Sequence, residues 1–103
     1  MTRILIVDDD QSTLASLSRA FRLAGYDAVV CDNASRALSL MRAERFDIVF
    51  SDVVMPGKDG IGLLEEMRAM GVTTPVVMMA RRRSRWGIFF RTGASTAVPG
   101  MNL

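Results

Sequence analysis

Four short apolar runs punctuate the first 80 residues, and the stretches between them repeat their apolar positions at helical spacing. The runs are RILIV at 3–7, YDAVVC at 26–31, FDIVF at 46–50 and PVVMM at 75–79. Apolar runs of this length, rich in β-branched residues, suit strands that are covered on both faces. Between the first two, Leu14, Leu17, Phe21 and Ala24 share one face of a helix that begins at Gln11, with Gly25 placed to end it. Asp32-Asn33 makes a turn and a cap for a second helix, Ala34–Ala43, with Ala34, Ala37, Leu38 and Met41 inward. A third helix spans 61–70, carries Leu63, Leu64, Met67 and Met70, and stops at Gly71. Each connection is long enough for a right-handed crossover. The alternation predicts a doubly wound α/β domain with a parallel sheet wrapped on both faces.

The chain has 103 residues, the size of one domain, and half of them are hydrophobic, enough for a core. Its single cysteine, Cys31, lies in an apolar run and reads as a small core residue in a reducing compartment. No stretch approaches the roughly 18 apolar residues of a membrane span. Met1-Thr2-Arg3 leads straight into a strand without a signal-peptide pattern, so the expected location is cytoplasmic, with no membrane partner. Charge is unevenly distributed. Residues 1–80 hold all 11 acids and 8 of the 13 basic residues, whereas residues 81–103 hold five Arg and no acid.

Two acidic positions stand at strand ends. Asp8-Asp9-Asp10 follows the first strand, and Ser51-Asp52 follows the third. One of the three Asp is explained by capping the first helix, through Asp10 or Ser12; capping does not require its two companions. In a parallel sheet the carboxyl ends of strands one and three share a rim, where open α/β sheets bind ligands. Asp8, Asp9 and Asp52 are therefore expected to converge. A set of carboxylates in one pocket suits a hard divalent cation, Mg²⁺ above all.

Together, ILIVDDD, SDVVMPGKDG and TPVVMM resemble the receiver domain of bacterial two-component response regulators, nearest to the nitrogen-regulation type, over residues 3–79. The resemblance implies a flavodoxin-like sheet of order 2-1-3-4-5. It implies that Asp52 accepts a phosphoryl group from a sensor histidine kinase in a phosphorelay. Asp9 would bind Mg²⁺ directly, Asp8 through water, and the Val54 carbonyl would complete the protein's share of the shell. Pro56 and Gly60 would shape the loop that carries Val54. Such a domain is a phosphoacceptor rather than an enzyme, beyond catalysing its own phosphorylation and dephosphorylation.

The resemblance breaks at residue 80. The family's Ser or Thr after the fourth strand is Ala80 here, and no Lys follows to contact the phosphoryl oxygens, so the switch is expected to be impaired. Residues 1–80 read as the receiver core and 81–103 as an atypical Arg-rich tail, with the last strand and helix doubtful or missing. Three readings of the tail stand: a basic nucleic-acid arm, a divergent helix and strand with 88–90 as the strand, or a shifted reading frame. A stand-alone receiver is the first functional expectation. A degenerate receiver-like interaction module or a truncated non-signalling product is the alternative, and nucleic-acid binding through the tail ranks below both. Without a fifth strand, 75–79 would be an exposed sheet edge inviting self-association, and apolar surface around Leu14, Leu17 and Phe21 would lie uncovered.

Overall fold

The computed structural model describes the backbone of residues 1–52, 60–82 and 85–90, and the side chains of residues 1–52 and 60–79. The elements run β1 Arg3–Val7, α1 Gln11–Leu23, β2 Asp27–Cys31, α2 Ala34–Ala43, β3 Ile48–Asp52, α3 Gly60–Ala69, β4 Val76–Arg82 and β5 Arg85–Phe90. The sheet order is β2-β1-β3-β4-β5. The first four strands are parallel, as the long crossovers require.

Side chains alternate along each strand, and the two sheet faces hold separate cores. Leu5, Val7, Val49, Val76 and Met78 pack with Ala37, Leu38 and Met41 of α2 and with Leu63, Leu64 and Met67 of α3. Ile4, Ile6, Ala28, Ile48, Phe50, Val77 and Met79 face the other way, against Leu14 of α1 with Leu17 and Phe21 beside it. Burying each such side chain fully contributes about 1.5–3 kcal/mol. Leu14 is buried, and the Phe21 ring lies 4.8 Å from that of Phe50 and 6.0 Å from that of Tyr26. Of the three residues around which bare apolar surface is expected, Leu14 is buried, whereas Leu17 and Phe21 are half-buried.

Local chemistry fixes the ends. Asp10 caps α1, accepting from the Ser12 N–H and the Thr13 hydroxyl. Asn33 caps α2 through the Arg36 N–H. Gly25 and Gly71 take φ of 94° and 83° just past α1 and α3, a backbone region open to glycine at no steric cost.

The last two strands differ most from expectation. β4 does not stop at residue 79 but runs to Arg82, and β5 pairs with it antiparallel, from Val77↔Phe90 to Arg82↔Arg85. Only residues 83 and 84 separate the two strands. A parallel return needs a crossover of a dozen or more residues, so this connection permits only a hairpin. The fifth strand of the expected order is present beside β4, in the reversed direction. It also corrects the expected exposed edge, because β4 is an inner strand and β2 and β5 are the outer ones. The loop residues Val54 and Pro56 lie outside the described residues, as does everything after Phe90.

Candidate metal and phosphoryl site

Val7 is registered to Ser51 on adjacent parallel strands, so Asp8 and Asp52 reach the carboxyl rim side by side. Asp9 follows on the turn into α1. One carboxylate oxygen from each of Asp8, Asp9 and Asp52 lies within 4.8 Å of the others. The convergence expected from the sequence is therefore present, and Asp10 stands apart from it as the cap of α1.

The three carboxylates are not equivalent. Asp8 is only 1% exposed, Asp52 is half-buried and Asp9 is exposed. The Asp8 Oδ1 accepts from the Asp10 N–H at 2.9 Å. Its Oδ2 is buried with no hydrogen-bond partner among the described residues. Burial pushes the Asp8 carboxyl up to about 6; the Asp10 N–H pulls the other way, and the Asp52 and Asp9 charges add to the rise. A buried acceptor without a donor, beside two further carboxylates, leaves an uncompensated cost that a hard cation would remove. The donor set, all oxygen and all anionic, fits Mg²⁺.

Gly60 holds the rim from the other side. A Cβ there would overlap the Asp52 carbonyl oxygen and come within 3.0 Å of the Met78 sulfur. α3 can start this close to the end of β3 only with glycine at its first position. In the sequence Gly60 looks like a turn residue of the loop before α3; its close approach to Asp52 is legible only in three dimensions. Ser51 is fully buried and its hydroxyl donates to the Asp52 carbonyl at 3.1 Å, a contact no sequence pattern signalled.

A cavity of about 700 Å³ lies at the opposite pole, lined by Met41 to Asp47 and Gly71 to Pro75. It is remote from the carboxylates. Arg3 knits this pole, bonding Asp27 at 2.9 Å and Glu44 at 3.1 Å and lying 5.1 Å from the Phe46 ring centre.

Comparison with known proteins agrees with this geometry. The response regulator receiver domain family matches residues 4–96. A rice two-component response regulator, ORR21, is 44% identical over 80 residues, covering 76% of this chain and 11% of its own length. The regulatory protein AtoC of Escherichia coli is 42% identical over 79 residues, covering 77% of this chain and 17% of its own length. The chain thus spans less than a fifth of each of these two relatives. Among solved structures, the chemotaxis response regulator CheY4 of Vibrio cholerae superposes with a TM-score of 0.76 at 30% identity, covering 82% of this chain and 72% of that one. The response regulator TrrA of Thermotoga maritima, in complex with Mg²⁺-BeF, gives a TM-score of 0.75 at 26% identity, covering 81% and 72%.

Proposed function

The chain belongs to the response regulator receiver domain family of two-component phosphorelay signalling, and on that premise we propose that Asp52 is its phosphoacceptor. The observation that carries this reading is the convergence of Asp8, Asp9 and Asp52 at one rim. Asp8 and Asp9 would hold Mg²⁺, with Asp52 and the Val54 carbonyl completing the protein's share. When bound, the cation offsets the repulsion between an acceptor carboxylate and an incoming phosphoryl group.

The step itself is a displacement at phosphorus. An Asp52 carboxylate oxygen forms the new P–O bond. The bond from phosphorus to the donor breaks, and the electron pair leaves with the donor. For a phosphohistidine on a sensor histidine kinase the bond broken is P–N. The product is an acyl phosphate, and no separate substrate is turned over. Residues 1–80 form the receiver core in this reading, the tail replaces its end, and the setting is the cytoplasm.

Phosphoryl uptake and signalling are partly uncoupled in this chain. A ligand shifts a conformational equilibrium only through contacts that differ between the two states. Ala80 offers no hydroxyl to the modified site. A charge-assisted hydrogen bond of that kind typically contributes roughly 1.5–3 kcal/mol. Its loss removes a large part of the about 5.5 kcal/mol needed to move a switch from 1:99 to 99:1.

The test is the amide NMR spectrum with and without beryllofluoride and Mg²⁺, a mimic of the acyl phosphate. Shifts confined to the neighbourhood of Asp8, Asp9 and Asp52 are expected. No shift at all would favour an interaction module without acceptor chemistry. Shifts spreading through residues 80–103 would contradict the uncoupling.

A further inference from the structure

Among the described residues three polar side chains are buried: Asp8, Ser18 and Ser51. Asp8 belongs to the acid pocket and Ser18 to α1. Ser51 has no part in the reading above. It stands in a row across the sheet, registered to Val7 on one side and Met78 on the other, with Cys31 beyond Val7. Cys31, Val7 and Met78 all belong to the core shared with α2 and α3. Ser51 is the polar member of an otherwise apolar row, and it is fully buried. A hydroxyl in such a place costs free energy unless a hydrogen bond offsets it. The bond it makes runs to the Asp52 carbonyl, at 3.1 Å.

That carbonyl is also the atom for which the missing Cβ of Gly60 leaves room, and the Met78 sulfur lies next to the same position. The backbone of Asp52 is therefore held on both sides. Before it, Ser51 is fixed in the ladder to β1, and Asp52 itself is registered to Met79 of β4. After it, the carbonyl is held by the Ser51 hydroxyl and faces the start of α3. With the main chain set, the carboxylate keeps only its own side-chain torsions.

Successive positions on a strand belong to opposite faces, so Ser51 acts on Asp52 through the main chain and does not touch the reacting atoms. Attack on phosphorus needs the carboxylate oxygen in line with the bond that breaks, and a misplacement of about 1 Å can cost about a hundredfold in rate. Groups that lock the backbone beneath a reacting side chain supply that placement. We propose that Ser51 is a positioning residue for phosphoryl uptake: its buried hydroxyl, by holding the Asp52 carbonyl, sets the direction from which the Asp52 carboxylate meets phosphorus. This rests on Asp52 being the acceptor. An alanine would fill the same apolar row without the cost of a buried hydroxyl, but would leave the carbonyl unheld from that side.

The test uses the full 103-residue chain as wild type and as Ser51→Ala, Ser51→Thr and, as a buried serine away from the acid rim, Ser18→Ala. Phosphoryl uptake from acetyl phosphate at saturating Mg²⁺ is followed by intact mass, Mg²⁺ binding by calorimetry, and folding by urea denaturation. In the uptake step an Asp52 oxygen forms the new P–O bond, the bond from phosphorus to the acetate oxygen breaks, and acetate leaves with the electron pair. Ser51→Ala is expected to slow uptake by roughly three- to tenfold, the scale of one lost hydrogen bond. Mg²⁺ binding should change less than the rate, because Asp8 and Asp9 are untouched. Ser51→Thr keeps the hydroxyl and should recover the rate, and Ser18→Ala should match wild type. The Asp52 carbonyl ¹³C resonance should move upfield in Ser51→Ala as its hydrogen bond is lost, a readout that needs neither Mg²⁺ nor the rescue variant. Uptake at the wild-type rate in Ser51→Ala, an equal loss in Ser18→Ala, a folded Ser51→Thr as slow as Ser51→Ala, or an unmoved carbonyl resonance would overturn the assignment. A wild type that binds Mg²⁺ but takes up no phosphoryl would instead sink the acceptor reading, whatever the carbonyl resonance shows.

Discussion

Asp8 is the residue whose replacement tests the electrostatics of the site most sharply. Its carboxyl is almost wholly buried, one oxygen has no donor among the described residues, and two other carboxylates stand within 4.8 Å. A rise from the ordinary 3.8 to about 6 corresponds to about 3 kcal/mol between the neutral and ionised forms. Between those two values the folded state binds more protons than the unfolded state, so this group makes stability fall as pH rises through the window. Its penalty is absent below about pH 4 and complete above about pH 6. Asp8→Asn keeps the shape and the acceptor facing the Asp10 N–H, removes the charge, and turns an amide donor toward Asp9 and Asp52. We expect it to raise the unfolding free energy at about pH 7.5, without divalent metal, by on the order of 2–3 kcal/mol. Urea denaturation of both proteins across the window gives the answer, because carboxylates remote from Asp8 cancel in the difference. The difference should grow from near zero at about pH 4 to its full value above about pH 6. A variant no more stable than wild type at neutral pH, or a difference that does not change with pH, would refute the argument. Added Mg²⁺ should stabilise the wild type and narrow the gap, since a ligand bound only by the folded state adds to its stability.

Gly60→Ala should destabilise the fold and weaken Mg²⁺ binding together, because its Cβ displaces the Asp52 backbone; thermal melting and calorimetry read both. Met67→Ala, emptying a fully buried position of α3, should cost about 2–5 kcal/mol in urea denaturation, with a loss below about 1 kcal/mol arguing against the packing described. Burial pushes the Cys31 thiol up to about 11, so alkylation of the folded protein at mildly basic pH should be far slower than in urea. Equal rates would mean that Cys31 is not enclosed.

The parallel part of the fold was legible because its signals are local. Apolar runs gave β1 and β2, caps and glycines gave the helix ends, and α2 appears with the bounds read from sequence. β3 was read two residues early, at 46–50 instead of Ile48–Asp52, because Phe46 is buried without being in the ladder: its ring packs against Arg3. Hydrophobicity reports burial, whereas the ladder follows hydrogen bonds to neighbouring strands. The same distinction explains β4. Its apolar run ends at Met79, but pairing with β5 carries the strand on through Arg81 and Arg82. The convergence of Asp8, Asp9 and Asp52 followed from topology alone. The donorless Oδ2 of Asp8 and the close approach of Gly60 depend on distances of a few ångströms, which no spacing in a sequence encodes.

The most direct measurement is the site of phosphoryl uptake. Wild type and Asp52→Asn are incubated with acetyl phosphate and Mg²⁺, and the products are analysed by intact mass and by peptide mapping after reduction of the acyl phosphate with borohydride. The account predicts a mass gain of one phosphoryl group in the wild type, mapped to Asp52 and dependent on Mg²⁺, with none in Asp52→Asn. A gain that persists in Asp52→Asn, or a wild type that stays unmodified while binding Mg²⁺, would contradict it.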